Sequence, residues 1–139
     1  MKKIYCLSVV FLILSLILSS CTGIPDGIDE KLAPVESIDI LVLESFPVQI
    51  NVLINGYLPN PCYQITRIEK NQDEDTFYVK VFMKYNGLIC IQTIKPYEET
   101  VALDVYGLVA GTYQVDVNGV IDSFTLDVDN ILPDTEDEE

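Results

Sequence analysis

From about residue 37 onward the chain predicts an all-β fold, an antiparallel sandwich of seven or eight strands, and three observations carry that expectation. Apolar and polar residues alternate with a period of two, the mark of half-buried strands. Turn-forming residues punctuate nearly every junction, and helix signals are absent. Strand candidates at short spacing with no helix between them bury their apolar faces as two packed sheets.

Ile38 to Leu43 opens the predicted domain, which spans 37–129. Val48, Ile50, Val52 and Ile54 alternate with Gln49, Asn51, Leu53 and Asn55 and run into Asn55-Gly56, which reads as a turn. Cys62 to Lys70 follows. Phe77, Val79, Val81 and Met83 alternate with Tyr78, Lys80, Phe82 and Lys84, so each set lines one face of a strand. Leu88 to Ile94 is a further candidate, as is Thr100 to Val105 with Val101, Leu103 and Val105 inward. The last hairpin is the clearest element: Tyr113, Val115 and Val117 lead into Asn118-Gly119, and Phe124, Leu126 and Val128 return. Asn-Gly suits a type I′ turn, whose two central residues both need positive φ.

The opening segment carries a different signal. Lys2 and Lys3 precede an apolar run from Ile4 to about Leu18, the layout of an export signal. Its core of roughly fifteen residues is shorter than the twenty or so that cross a bilayer. Leu18-Ser19-Ser20-Cys21 closes the run and resembles the lipobox of bacterial lipoproteins. The resemblance implies a diacylglycerol on the Cys21 thiol, cleavage just before it, and acylation of the new amine. It further implies a domain held to the bacterial cell membrane or outer membrane and facing the periplasm or exterior. The alternative is an ordinary secretory signal that stops near a cysteine. Each buried methylene contributes about 0.8 kcal/mol, so two or three acyl chains anchor durably where one is marginal. Residues 21–36 then read as the lipidated cysteine and a flexible tether, whose stretch Thr22 to Pro34 has a coil reach of about 20 Å.

Without residues 1–20 the 139-residue chain retains 119, a length that suits one self-sufficient domain. It then carries 6 basic and 22 acidic residues, a net charge of −16. Such a surface repels phosphate backbones, so no nucleic-acid partner is expected. It also pushes the domain as a whole away from anionic headgroups. Residues 130–139, with five acids in the last six, read as a disordered acidic tail.

Leu103 to Tyr113 resembles the corner between strands E and F of immunoglobulin-like and fibronectin-type modules. The resemblance implies an immunoglobulin-like sandwich with Leu108, Gly111 and Tyr113 as its structural corner. The Tyr113 hydroxyl would bond backward to the chain near Leu108 and fix the crossover between sheets. The absence of Trp, and Val115 where antibody domains have a Cys, depart from the antibody pattern. More loosely, Phe46 to Val120 is similar to small uncharacterised bacterial lipoproteins with one such domain, a resemblance that implies no activity.

The lipobox resemblance implies that Cys6 leaves with the leader and that Cys21 is acylated, so Cys62 and Cys90 remain for a disulfide in an exported chain. The pair lacks C-x-x-C spacing, and with no His in the chain neither a redox couple nor a zinc site has support. The missing His and the missing G-x-S-x-G elbow also exclude triad chemistry. Glu98-Glu99 would point to opposite faces of a strand, and Asp73-Glu74-Asp75 reads as a solvated hairpin loop. No enzyme, cofactor or metal is therefore predicted. Calcium near Asp127 and Asp129, with Asn130 and Asp134, stays open on oxygen count, although Leu132 stands where a calcium loop needs Gly.

Two functions of different class follow: a non-catalytic binding module for an envelope or extracellular protein or glycan, and a structural accessory subunit of a larger envelope complex. A protease inhibitor would need a projecting loop, for which Tyr57 to Cys62 and Tyr85 to Leu88 are the candidates. Tyr57, Tyr63, Tyr78, Tyr85, Tyr97 and Tyr106 exceed what a small core needs. Clustered, they would mark a recognition surface; scattered, they reflect β-propensity.

Overall fold

The computed structural model describes residues 30–87 and 89–132. Among them the chain forms eight strands and no helix: β1 Glu30–Leu32, β2 Val35–Leu43, β3 Gln49–Leu58, β4 Tyr63–Asp73, β5 Thr76–Tyr85, β6 Lys95–Leu103, β7 Gly111–Val117 and β8 Val120–Leu126. They build a β-sandwich of a five-stranded and a three-stranded sheet. In the larger sheet β4 takes one edge of β5, β1 and β7 share the other, and β8 lies beyond β7. The smaller sheet is β2-β3-β6.

Period-two patterning fills the space between the sheets. Ile50, Val52 and Ile54 of β3 are fully buried and face Val79 and Val81 of β5 and Val115 and Val117 of β7 within one core. Phe77, Tyr113 and Phe124 close that core toward one end, with ring centroids 5.6 to 6.3 Å apart. Each such ring removes on the order of 150–250 Å² from water.

One pairing departs from the expected antiparallel plan. β5 and β7 run parallel, Thr76 opposite Gln114 through Val79 opposite Val117. Between them the chain crosses to the other sheet as β6, so β7 returns in the direction of β5; only a direct hairpin would have reversed it.

Beyond Val117 the parallel ladder stops, and Asn118 takes over. Its Oδ1 accepts the Val81 N–H at 3.1 Å, and its Nδ2 donates to the carbonyls of Val81 and Ala33, both at 2.9 Å. The side-chain amide thus fills the gap between β7 and β1 along the edge of β5. Asn118 and Gly119 also take the positive φ of the hairpin turn, 51° and 95°.

Several sequence expectations are corrected. Residues 30–36, expected within the tether and ahead of a domain starting at 37, hold β1 and the start of β2, and Ala33 is buried. The backbone of Glu30 to Leu32 finds partners on β5, from Lys84 to Phe82, which no local pattern announces. Asn55-Gly56 is no turn but lies inside β3. Gly56 is there for space: a Cβ would meet the Pro34 carbonyl and lie 2.7 Å from the Tyr97 ring. Residues 89–94 form no strand, because Cys90 is drawn to Cys62 rather than into a ladder. β6 begins at Lys95, ahead of the expected Thr100. Asn130, expected in the disordered tail, is wholly buried. The leader, Cys21, Asp134 and the acidic residues after it lie outside the described residues.

Candidate interaction surfaces at the two ends of the sandwich

At one end, called the entry end here because Glu30 begins β1 there, β3 and β5 finish and β4 and β6 start. The Cys62–Cys90 disulfide, with a Cα separation of 6.0 Å, ties the start of β4 to the loop between β5 and β6. The turn before it is held locally: Asn60 Oδ1 accepts the Cys62 N–H at 3.0 Å and its carbonyl accepts that of Tyr63. Asn86 donates to the Cys62 carbonyl at 3.0 Å. These bonds and the burial of Asn60 and Cys62 keep Tyr57 to Cys62 packed down rather than projecting.

The surface of this end is apolar and aromatic. Ile89, Ile91 and Ile94 lie open to solvent on the loop, and Tyr63 and Tyr85 rings meet at 5.2 Å. Tyr97 donates its hydroxyl to the Pro34 carbonyl at 2.9 Å, and burial beside Glu99 pushes its phenol up to about 12. Of the six tyrosines singled out by count, Tyr57, Tyr63, Tyr85 and Tyr97 gather at this end. Tyr78 lies on the exposed side of β5 and Tyr106 at the opposite end.

Acids are absent from two long runs that build this end, and Glu30 there is partly neutralised by an ion pair. No Asp or Glu occurs from Ser45 to Ile68 or from Thr76 to Tyr97. Arg67 lies over the Phe82 ring at 3.8 Å and donates from Nε to Glu30 at 2.7 Å, also pairing with Glu69. The Arg67 hydrogen bond, aided by Thr66, holds the Glu30 carboxyl below its usual value.

The far end is built by the chain reversal before β7. The Tyr113 hydroxyl donates to the Val109 carbonyl at 2.9 Å, one residue past Leu108, which is half-buried; Gly111 starts β7. Asn130 locks this corner to the rest. Its Oδ1 accepts the Val48 N–H at 2.6 Å, and its Nδ2 donates to the carbonyls of Val48 and Val105, both at 2.9 Å. Its own N–H donates to Leu108, and its carbonyl accepts from Gly107, whose φ is +87°.

Exposed acids collect around that corner: Glu44, Asp73, Glu74, Asp75, Asp104, Asp127 and Asp129. Two open grooves meet at Leu103 and Asp104. One of about 360 Å³ is bounded by Lys70, Asn71, Gln72 and Phe77, the other of about 250 Å³ by Pro47, Val48, Gln49 and Tyr106. Lys70 spans the open side between the sheets, donating to the Ala102 carbonyl at 2.8 Å.

Two of the four oxygen donors that could suit calcium are engaged elsewhere. The Asn130 amide is consumed by Val48 and Val105, and Asp129 Oδ1 accepts the Ala110 N–H at 2.7 Å. Among the described residues no group of three or more His, Cys, Asp or Glu could hold a metal ion. Glu98 and Glu99 sit on opposite faces of β6, one exposed and one half-buried. Asp73 to Asp75 form an exposed hairpin turn with Glu74 at positive φ. Sequence reasoning missed Asn118 and Asn130 as structural amides; an Asn in a turn or tail carries no mark of the distant peptide it will meet.

A family model described as the ORF11 beta-sandwich domain matches residues 52–126, just over half of the chain. The chain belongs to this family. The ORF11 match opens inside β3 and closes on the last residue of β8, leaving β1, β2 and Asn130 outside it. An uncharacterised 10.2 kDa protein in the HgiCIIM 5′ region of Herpetosiphon aurantiacus is 30% identical over 93 residues, 66% of this chain and 98% of that one. No solved structure matches the chain.

Proposed function

We propose that this ORF11-family chain is an exported lipoprotein, held to a bacterial envelope membrane through Cys21. Its sandwich works as a non-catalytic binding module that offers its far end to a protein or glycan of the envelope or exterior. One observation carries the reading: the chain enters the sandwich at one end, whereas the two grooves, Tyr106 and a cluster of seven exposed acids lie at the other. A tether at the entry end leaves the far end outermost. The Cys62–Cys90 bridge agrees with an oxidising compartment, where such bonds form and persist. The Herpetosiphon relative, almost entirely matched, supports a domain that stands by itself.

The test uses the full chain in a bacterial host that processes lipoproteins. Mass spectrometry of the mature amino-terminal peptide is expected to show acylated Cys21; an intact leader or an unmodified thiol there refutes the anchor. Capture from solubilised membranes is expected to yield a ligand that is lost with Asp104→Lys and Tyr106→Ala. A partner retained by that variant in fixed stoichiometry would instead favour an accessory subunit docked elsewhere.

A further inference from the structure

We infer that the loop carrying Ile89, Ile91 and Ile94 rests on the bilayer to which the chain is tethered, as a second membrane contact beside the lipidated Cys21. The inference depends on the anchored reading above. These residues have relative exposures of 105%, 72% and 68%, although Ile ranks among the residues most often found inside proteins. The Cys62–Cys90 bond pins the middle of the loop to β4, so its isoleucines are displayed at the entry end.

Where the chain leaves the sandwich decides the occupant. Glu30 pairs with Lys84, next to Tyr85, from which the loop springs. Only residues 22–29 separate Cys21 from Glu30. Fully extended, that stretch spans at most roughly 30 Å, and as a coil about 16 Å. A lipid on Cys21 therefore keeps this end, and the loop on it, beside the headgroups.

Charge selects the same face. Lys84 and Lys95 flank the loop, and the run Thr76 to Tyr97 contains no acid. Among the described residues the acids of this end are Glu30, held by Arg67, Glu36 and Glu98 on neighbouring strands, and the half-buried Glu99. Exposed isoleucines edged by Tyr57, Tyr85 and lysines have the composition of an interfacial contact, in which apolar groups enter the headgroup boundary while amines meet anionic lipid. The largest cluster of exposed acids, and the repulsion it exerts on anionic headgroups, lies at the far end.

The chain has no Trp, so a single Ile91→Trp substitution reports from the loop alone. Val128→Trp, at an exposed far-end position, is the control. Each full-length lipidated protein is reconstituted into vesicles of phosphatidylcholine and phosphatidylglycerol. The Ile91→Trp emission is expected to shift to shorter wavelength and to be quenched by brominated acyl chains, whereas Val128→Trp shows neither effect. Adding Ile89→Asp and Ile94→Asp to Ile91→Trp is expected to abolish both. If Cys21 carries its lipid and the Ile91→Trp emission is neither shifted nor quenched, the loop contact is wrong and the anchor stands. If Cys21 carries none, the anchor fails and the contact with it. A shift without bromine quenching, together with cross-linked dimers, overturns the contact in favour of a second copy on the loop.

Discussion

Asn118 and Val81 face each other as though both were strand residues: a side-chain amide meets a backbone peptide through both its N–H, at 3.1 Å, and its carbonyl, at 2.9 Å. A third bond, to the Ala33 carbonyl, makes Asn118 the joint between the hairpin and the first strand. Replacing it by Gly keeps the turn conformation but removes these bonds, each contributing about 1 kcal/mol with a further penalty for strand groups left unpaired. Asn118→Gly is expected to cost about 2–3 kcal/mol in urea unfolding, and Asn118→Ala about 1 kcal/mol more, because Ala resists φ of +51°. A Gly variant as stable as the parent would show that the bridge contributes nothing.

Asn130 plays the same part toward Val48 at the far end, but without any exposure. Asn130→Ala is expected to lose about 3 kcal/mol, the sum of unmet backbone groups and the space left behind. Asn130→Asp replaces the donor that serves Val48 and Val105 with an acid facing two carbonyls. Its folded-state pKa is expected to rise, since burial opposes ionisation. The variant should therefore be most stable at low pH and lose stability as pH climbs through that raised value. Denaturant midpoints measured between mildly acid and neutral pH decide it; a pH-independent loss would refute the assignment.

Gly56, Pro34 and Tyr97 form a notch in which the sandwich closes over its first crossover. Gly56→Ala forces a methyl against a backbone oxygen and a ring, and overpacking of this kind costs about 1–3 kcal/mol. Burial, with Glu99 nearby, pushes the Tyr97 phenol from its ordinary 10.0 up to about 12. Its folded pKa is raised, so its contribution is complete below pH 10 and is lost as pH rises toward 12. Tyr97→Phe should flatten that alkaline loss in thermal melts. An unchanged alkaline slope would mean the phenol plays no part.

Cys62 and Cys90 are 28 positions apart. Cross-linking that length of chain restricts the unfolded ensemble by about 3–4 kcal/mol on the loop-entropy model. The double variant Cys62→Ala and Cys90→Ala is expected to lose that amount. Amide exchange should speed up first over residues 86–87 and 89–94, whose backbone joins no strand ladder. Equal exchange in both forms would show the loop to be held without the bond.

What was readable in advance was whatever depends on near neighbours. The alternation of Ile50, Val52 and Ile54 and of Phe77, Val79 and Val81 declares buried faces by spacing alone. Asn118-Gly119 declares its turn because positive φ is a local demand. Gly56 misled for the same reason: Asn-Gly looks identical whether glycine is needed for φ or for room, and the Tyr97 ring that needs the room lies 41 positions onward. Glu30 to Leu32 could not be seen as a strand, since three residues have no periodicity and their partners sit on β5. The apolar run at Ile89 to Ile94 reads as a strand by composition, yet no neighbour offers it a ladder. The separation of the acids from the isoleucine loop is likewise a property of which strand ends meet in space.

The two amide clamps bind early chain to late chain, Ala33 to Asn118 and Val48 to Asn130. A polypeptide delivered amino end first, as from a ribosome, has neither clamp until Asn118 and Asn130 have emerged. Its opening strands must wait, unlatched, for residues made seconds later, so neither end of the sandwich is latched before Asn118 and Asn130 are free.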